Sequence, residues 1–184
     1  MRLVLALLLA LTAAIRLAPT AAAAEGAFAF GFTAIEGGPL PLARYAGHPV
    51  LVVNTASQCG FTYQYTALQR LWDRYRERGL VVMGVPSNDF NQERADNAAI
   101  KTFCETNFDI DFPLAEKVAV TGPDSHPFFA WLRRELGETA GPRWNFTKYL
   151  IGPDGEPVAF WPSTIEPDAP AVTAAIERLL PAGS

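Results

Sequence analysis

Apolar residues beyond position 24 fall into short blocks whose spacing alternates between strand-like and helix-like. Phe28 to Ile35 alternates loosely and stops at Gly37-Gly38, a turn signal. Pro49 to Thr55 (PVLVVNT) and Leu80 to Val85 (LVVMGV) are short, Val-rich apolar runs, the second ended by Pro86. Runs of this kind suit strands buried on both faces. Between them Leu68, Leu71, Trp72 and Tyr75 recur at i, i+3, i+4 and i+7, one face of a helix stopped by Gly79. Ile100, Phe103 and Cys104 share a further helical face, and Pro127 to Leu136 predicts another helix. Lys148 to Ile151 and Val158 to Trp161 read as a hairpin around Gly152-Pro153-Asp154-Gly155, and Val172, Ile176, Leu179 and Leu180 stripe a last helix. A β-α-β unit followed by a hairpin and a helix predicts an α/β fold with a central mixed sheet and helices on both faces. No internal repeat or long linker divides the chain, so residues 25–184 are expected to form one domain.

The first 24 residues, MRLVLALLLALTAAIRLAPTAAAA, follow a different pattern. Arg2 precedes an apolar stretch from Leu3 to Ile15, and Ala22-Ala23-Ala24 offers a small-x-small cleavage site before Glu25. Thirteen apolar residues span roughly 20 Å as a helix, short of a ~30 Å hydrocarbon core. A signal peptide over residues 1–24 is expected, with an uncleaved anchor as the alternative. Export would take the chain to a periplasmic location, with no membrane attachment after cleavage, where two cysteines can form a disulfide.

Composition then narrows the chemistry. Fifteen Lys+Arg against 19 Asp+Glu give −4, so there is no electrostatic case for nucleic-acid binding. Two Cys and two His are too few for a disulfide-dense scaffold or for a zinc site built from these residues alone. Ser57 and Ser87 have no recognisable His partner, which argues against a serine hydrolase. His48 and His126 belong to no ligand motif and fit surface or packing roles.

Cys59 lies in NTASQCGFTYQY, between the first Val-rich strand and the amphipathic helix. Loops at the C-terminal ends of parallel strands are where α/β folds place their chemistry. There a thiol meets the positive end of the next helix and free backbone N–H groups, both of which favour the nucleophilic thiolate. Gly60 is expected to give the backbone unusual freedom beside the sulfur. Spacing alone leaves open a small buried core cysteine.

The run Asn54-Thr55-Ala56-Ser57-Gln58-Cys59-Gly60-Phe61-Thr62 resembles the active-site segment of the glutathione peroxidase family, in its cysteine form. The resemblance continues through Val85-Pro86-Ser87-Asn88-Asp89-Phe90 and Phe112-Pro113 to Trp144-Asn145-Phe146-Thr147-Lys148-Tyr149-Leu150, in family order. It implies a thioredoxin-like fold and a thiol peroxidase acting on hydrogen peroxide and organic hydroperoxides in oxidative stress. Cys59 then matches the peroxidatic residue, which becomes a sulfenic acid. Trp144 and Asn145 match the residues whose N–H groups approach that sulfur and steady the anion; without the resemblance, Trp144 reads as an ordinary core aromatic.

Asp89 stands where the family usually has Gln. An ionised Asp has only acceptors and would raise the pKa of a neighbouring thiol. Three arrangements reconcile it with a working Cys59: Asp89 is protonated, it turns away, or Asn88 or Gln92 supplies the donor. A loop Asp holding a turn is the plain alternative. Cys104 matches the resolving cysteine of two-Cys members, implying a Cys59–Cys104 redox-active disulfide. It also fits as a side chain packed beside Ile100 and Phe103, or as half of a structural disulfide.

The stretch between Ala119 and Trp144 is short, like that of monomeric, thioredoxin-dependent family members, so a monomer is expected. The reductant would be a thioredoxin-like protein or a small thiol such as glutathione. No cofactor or metal is expected. The other readings are a thiol–disulfide oxidoreductase, disfavoured by the absence of a C-x-x-C pair, and a redox relay that senses peroxide.

Overall fold

The computed structural model describes residues 26–181, so the expected signal peptide lies outside the described residues. A small antiparallel pair, β1 (Gly31–Thr33) and β2 (Pro39–Pro41), precedes the main sheet. The main sheet comprises β3 (Val50–Thr55), β4 (Val81–Pro86), β5 (Lys148–Ile151) and β6 (Pro157–Trp161), in the order β4-β3-β5-β6. β3 and β4 are parallel, whereas β3–β5 and β5–β6 are antiparallel. The sheet is therefore mixed, as the pattern predicts.

Four helices cover it: α1 (Gln64–Tyr75), α2 (Asn97–Phe108), α3 (Pro127–Leu136) and α4 (Pro170–Leu179). Alternate residues of β3 explain the two layers. Leu51 and Val53 face Leu68 and Leu71 of α1, Ile100 of α2 and Val172 and Ile176 of α4. Val50 and Val52 face Phe128, Phe129 and Leu132 of α3. Every residue of β3 and β4 is buried, which is why neither run alternates with polar residues. Gly79, at φ +101°, ends the α1 segment in a left-handed turn that a side chain would strain.

Two local expectations change. The Phe28–Ile35 stretch splits into a 3-10 turn over Gly26–Ala29 and the three-residue β1. Gly60 does not adopt a positive φ, and a Cβ built there meets nothing within 4 Å. The Cys59 turn is made from ordinary backbone conformations.

Candidate active site

Cys59 sits in the turn that joins β3 to α1 and is only 4% exposed. Its Sγ accepts the Phe61 backbone N–H at 3.4 Å. The segment between β4 and α2 clamps this turn from across the sheet end. The Gln58 N–H donates to the Gln92 carbonyl at 2.8 Å, and the Ser57 N–H donates to Glu93 Oε1 at 3.0 Å. Glu93 is buried, also accepts the Arg94 N–H at 2.7 Å, and burial pushes its carboxyl pKa upward.

Trp144 and Asn145 arrive from the loop before β5, and Asn54 near the end of β3 fixes them there. The Asn54 side chain donates to the Trp144 carbonyl at 3.1 Å and accepts the Thr147 N–H at 3.0 Å, while its backbone carbonyl accepts the Phe146 N–H at 2.6 Å. Phe146 is held at φ +64°, a conformation that costs a bulky residue energy and persists only when its surroundings over-determine it. The turn leaves Trp144 40% exposed, its ring 5.3 Å from that of Phe90. Asn145 is fully buried, and its Nδ2 donates to Gln92 Oε1 at 3.0 Å.

The structure thus gathers Cys59, Gln92, Asn145 and Trp144 at one end of the sheet. Among the described residues, the Phe61 N–H is the single hydrogen-bond donor to Sγ; the indole and the Asn145 amide make no such bond here. For Asn145 the reason is visible, since its amide is engaged by Gln92. Asp89 is not turned toward this cluster. Its Oδ2 accepts the Val120 N–H (2.7 Å), the Thr121 N–H (2.7 Å) and the Thr121 hydroxyl (2.9 Å), so the carboxylate organises the 120–121 loop. Asn88 Oδ1 accepts the Glu93 N–H at 3.0 Å, a bond local to the segment between β4 and α2. Of the alternative donors, Gln92 is the one that lies against the Cys59 turn.

Cys104 lies on α2, fully buried and unbonded to Cys59. Burial pushes its thiol up to about 11, while the neighbouring Tyr65 hydroxyl pulls the other way. Of the twelve residues of α2, Ile100 and Cys104 are buried, while Phe103 and Phe108 are partly buried and pack against the same core. Sequence reasoning did not single out Asn54 or Glu93. Asn54 had a signal, as a polar residue inside an otherwise Val-rich strand. His126 meets the packing role expected of it, stacking on Phe32 and capping α3 through Nδ1.

Residues 27–133 match the sequence profile of the family described as glutathione peroxidase. The hydroperoxy fatty acid reductase gpx1 of Synechocystis sp. is 42% identical over 170 residues, covering 88% of this chain and 99% of that protein. The chain belongs to the glutathione peroxidase family. It is accordingly a peroxidase, an oxidoreductase with a thioredoxin-like α/β fold. A second similar member is the glutathione peroxidase-like peroxiredoxin GPX5 of Chlamydomonas reinhardtii, 41% identical over 73% of this chain and 85% of that one. The apo crystal structure of Trgpx superposes with a TM-score of 0.66 at 34% identity, covering 86% of this chain and all of Trgpx.

Proposed function

We propose that this glutathione peroxidase-family chain reduces hydrogen peroxide and organic hydroperoxides through the Cys59 thiolate, as part of a response to oxidative stress. The observation that carries the reading is the position of Cys59: a turn after the central parallel strand, its Sγ facing a backbone donor, beside Gln92, Asn145 and Trp144. The thiolate attacks one oxygen of the O–O bond, an S–O bond forms, and the departing oxygen takes a proton and leaves as an alcohol or water. Phe61 N–H and the Gln92 amide are suited to hold the sulfur anion. Trp144 and Asn145 are suited to receive the peroxide oxygens when substrate is present.

Cys104 then acts as the resolving thiol. Its sulfur displaces the hydroxyl of the Cys59 sulfenic acid, the Cys104 proton leaves with that hydroxyl as water, and a disulfide remains. The buried thiols must first approach, since a disulfide needs Cα atoms within ~7 Å, so the step requires α2 to open. An external thiol restores both cysteines. A thioredoxin-like protein fits better than glutathione, because no clear cluster of arginines surrounds the site to hold glutathione carboxylates. Asp89 supports the 120–121 loop in this scheme and does not touch the reacting atoms. The apolar N-terminal run supports export, cleavage near Ala24 and a periplasmic site of action. The short 119–144 connection supports a monomer.

The deciding experiment is a stopped-flow titration of the reduced protein with hydrogen peroxide, read with mass spectrometry. One equivalent should produce the Cys59–Cys104 disulfide with loss of two thiol protons. Steady turnover with a dithiol donor separates an enzyme from a peroxide-sensing relay. A well-folded Cys59→Ser variant that still reduces peroxide would overturn the reading.

A further inference from the structure

Four polar atoms in the buried region around the two cysteines have no hydrogen-bond partner among the described residues: Thr55 Oγ1, Ser57 Oγ, Tyr65 OH and Glu93 Oε2. All four residues are more than nine-tenths buried. Leaving such atoms without partners is costly, and most costly for a carboxylate oxygen. Glu93 is therefore the member of the cluster that most needs an explanation. Its Oε1 accepts the backbone N–H groups of Ser57 (3.0 Å) and Arg94 (2.7 Å), an arrangement that favours the ionised form, while Oε2 takes no part. Through Ser57 the carboxylate is fixed to the Cys59 turn, two residues before the sulfur. On its other side stand Tyr65 and Cys104. Burial is the main cause that raises the Tyr65 hydroxyl and the Cys104 thiol, and the charge of Glu93 adds to it at both.

Resolution of a Cys59 sulfenic acid creates a proton problem that this placement answers. The attacking species is a thiolate. With its thiol pushed up to about 11, roughly one Cys104 in ten thousand is ionised at pH 7. The departing hydroxide needs a proton in the same step. Other carboxylates are poorly placed to carry it. Asp89 holds the 120–121 loop. Glu105 is exposed, is engaged by Lys101 and sits on α2 itself, so it moves with the helix.

We infer that Glu93 is the proton carrier of the resolving step, taking the proton of the Cys104 thiol on Oε2 and delivering it to the oxygen that leaves Cys59. The inference rests on the two-cysteine reading and adds the residue that moves the proton. The Cys104 sulfur gives its electron pair to the Cys59 sulfur and an S–S bond forms. The S–O bond breaks with its pair, and the oxygen leaves as water with the proton held by Glu93, which ends as the carboxylate it began as. Because Glu93 is tied to the turn and not to α2, the base stays beside Cys59 when the helix opens. Burial raises its carboxyl pKa, which narrows the gap to the thiol and strengthens it as a base.

The test follows disulfide formation in the reduced full chain after one equivalent of hydrogen peroxide, by rapid-quench alkylation and mass spectrometry from pH 6 to 9. Glu93→Gln keeps an acceptor for the Ser57 and Arg94 N–H groups and removes the base. Conversion of the sulfenic acid to the disulfide should slow on the order of a hundredfold at pH 7. Its rate should then climb about tenfold per pH unit, following the thiolate fraction of Cys104. In the unsubstituted chain the same step should be flat from pH 7 to 9. The other charged and titratable groups around the pair, Tyr65, Arg94, Lys117 and Glu105, are common to both chains, so a difference between the profiles belongs to position 93. An equal rate in Glu93→Gln, or a slower one with the profile still flat, overturns the inference. A tenfold rise per pH unit in the unsubstituted chain overturns it without any variant. If no Cys59–Cys104 disulfide forms in the unsubstituted chain, the two-cysteine reading falls with it.

Discussion

The side-chain amide of Asn145 donates to the side-chain carbonyl of Gln92 at 3.0 Å. This bond fixes which way the Gln92 amide points, because its oxygen is occupied and its NH2 group remains the donor. Gln92 also receives the Gln58 N–H on its backbone carbonyl, so one residue ties the Cys59 turn to the Trp144-Asn145 loop. Gln92→Ala should lower the rate constant for peroxide at least tenfold and cost about 1–3 kcal/mol of stability, because the fully buried Asn145 amide loses its partner. Gln92→Glu should lower the rate constant as well and add a charge that disfavours the thiolate. Stopped-flow rates together with a pH profile of Cys59 alkylation check both variants; an unchanged rate in Gln92→Ala would remove Gln92 from the site.

Asp89→Asn tests the converse. The carboxylate holds three donors of the 120–121 loop and faces away from Cys59. Its replacement should cost about 1 kcal/mol of stability and leave the peroxide rate constant within a few-fold of the unsubstituted chain. Urea denaturation and stopped-flow measurements check the two halves separately. A rate loss of a hundredfold in a folded variant would return the carboxyl group to the chemistry.

Asn54→Ala should act on both stability and activity. The side chain is fully buried and satisfies two backbone groups of the Trp144–Thr147 turn, so removing it strands both at a cost of about 1–3 kcal/mol. It also frees Phe146 to leave its positive φ, which releases Trp144 from its place against Phe90. The variant should show a lower denaturation midpoint, a shifted Trp fluorescence maximum and a slower peroxide reaction. Unaltered fluorescence with an altered midpoint would show that the turn holds without Asn54.

The sheet was legible because Val-rich runs and helical stripes report burial directly: β3, β4, α1 and α3 follow from Pro49–Thr55, Leu80–Val85, the Leu68–Tyr75 stripe and Pro127–Leu136. The cysteine turn was legible from its place between a strand and an amphipathic helix, and its chemistry from the family motifs. The second layer of the site was not. Asn54, Glu93 and Lys148 act through side-chain hydrogen bonds, and Gln92 through its backbone carbonyl, to backbone groups in other segments of the chain, and such pairings leave no periodic trace. The direction of Asp89 illustrates the limit. Sequence could enumerate a turned-away carboxylate, but the donors that turn it belong to Val120 and Thr121.

Lys148 gives a pH signature of its own. Burial lowers its pKa to about 8, against about 10.4 in an unfolded chain. Between these values the unfolded state binds more protons than the folded one, so the Lys148 contribution to stability rises with pH and its burial penalty is greatest below pH 8. The difference in unfolding free energy between the unsubstituted chain and Lys148→Met cancels the other titrating groups. That difference should move in favour of lysine as pH rises from 7 to 10 in denaturant titrations. A difference independent of pH would show that the buried amine keeps an ordinary affinity for its proton.

The resolving step should be limited by the opening of α2. Cys104 is fully buried, its thiol is held protonated by burial, and its helix packs on the core through Ile100, Cys104 and the partly buried Phe103 and Phe108. The N-cap is the most economical place to loosen that helix: Asp96 Oδ1 accepts the Ala99 N–H at 2.7 Å, on the surface and away from both thiols. Asp96→Ala should cost roughly 1 kcal/mol of local helix stability, which raises the population of an opened α2 about fivefold. If opening precedes attack of Cys104 on the Cys59 sulfenic acid, disulfide formation should accelerate by up to that factor. The initial oxidation of Cys59 should proceed at its former rate, because the turn and its donors are untouched. Rapid-quench alkylation with mass spectrometry separates the two steps, and Cys104→Ser supplies the reference in which the sulfenic acid accumulates. A disulfide that forms more slowly in Asp96→Ala would mean that the intact helix presents Cys104 for attack, and that its order assists resolution instead of delaying it.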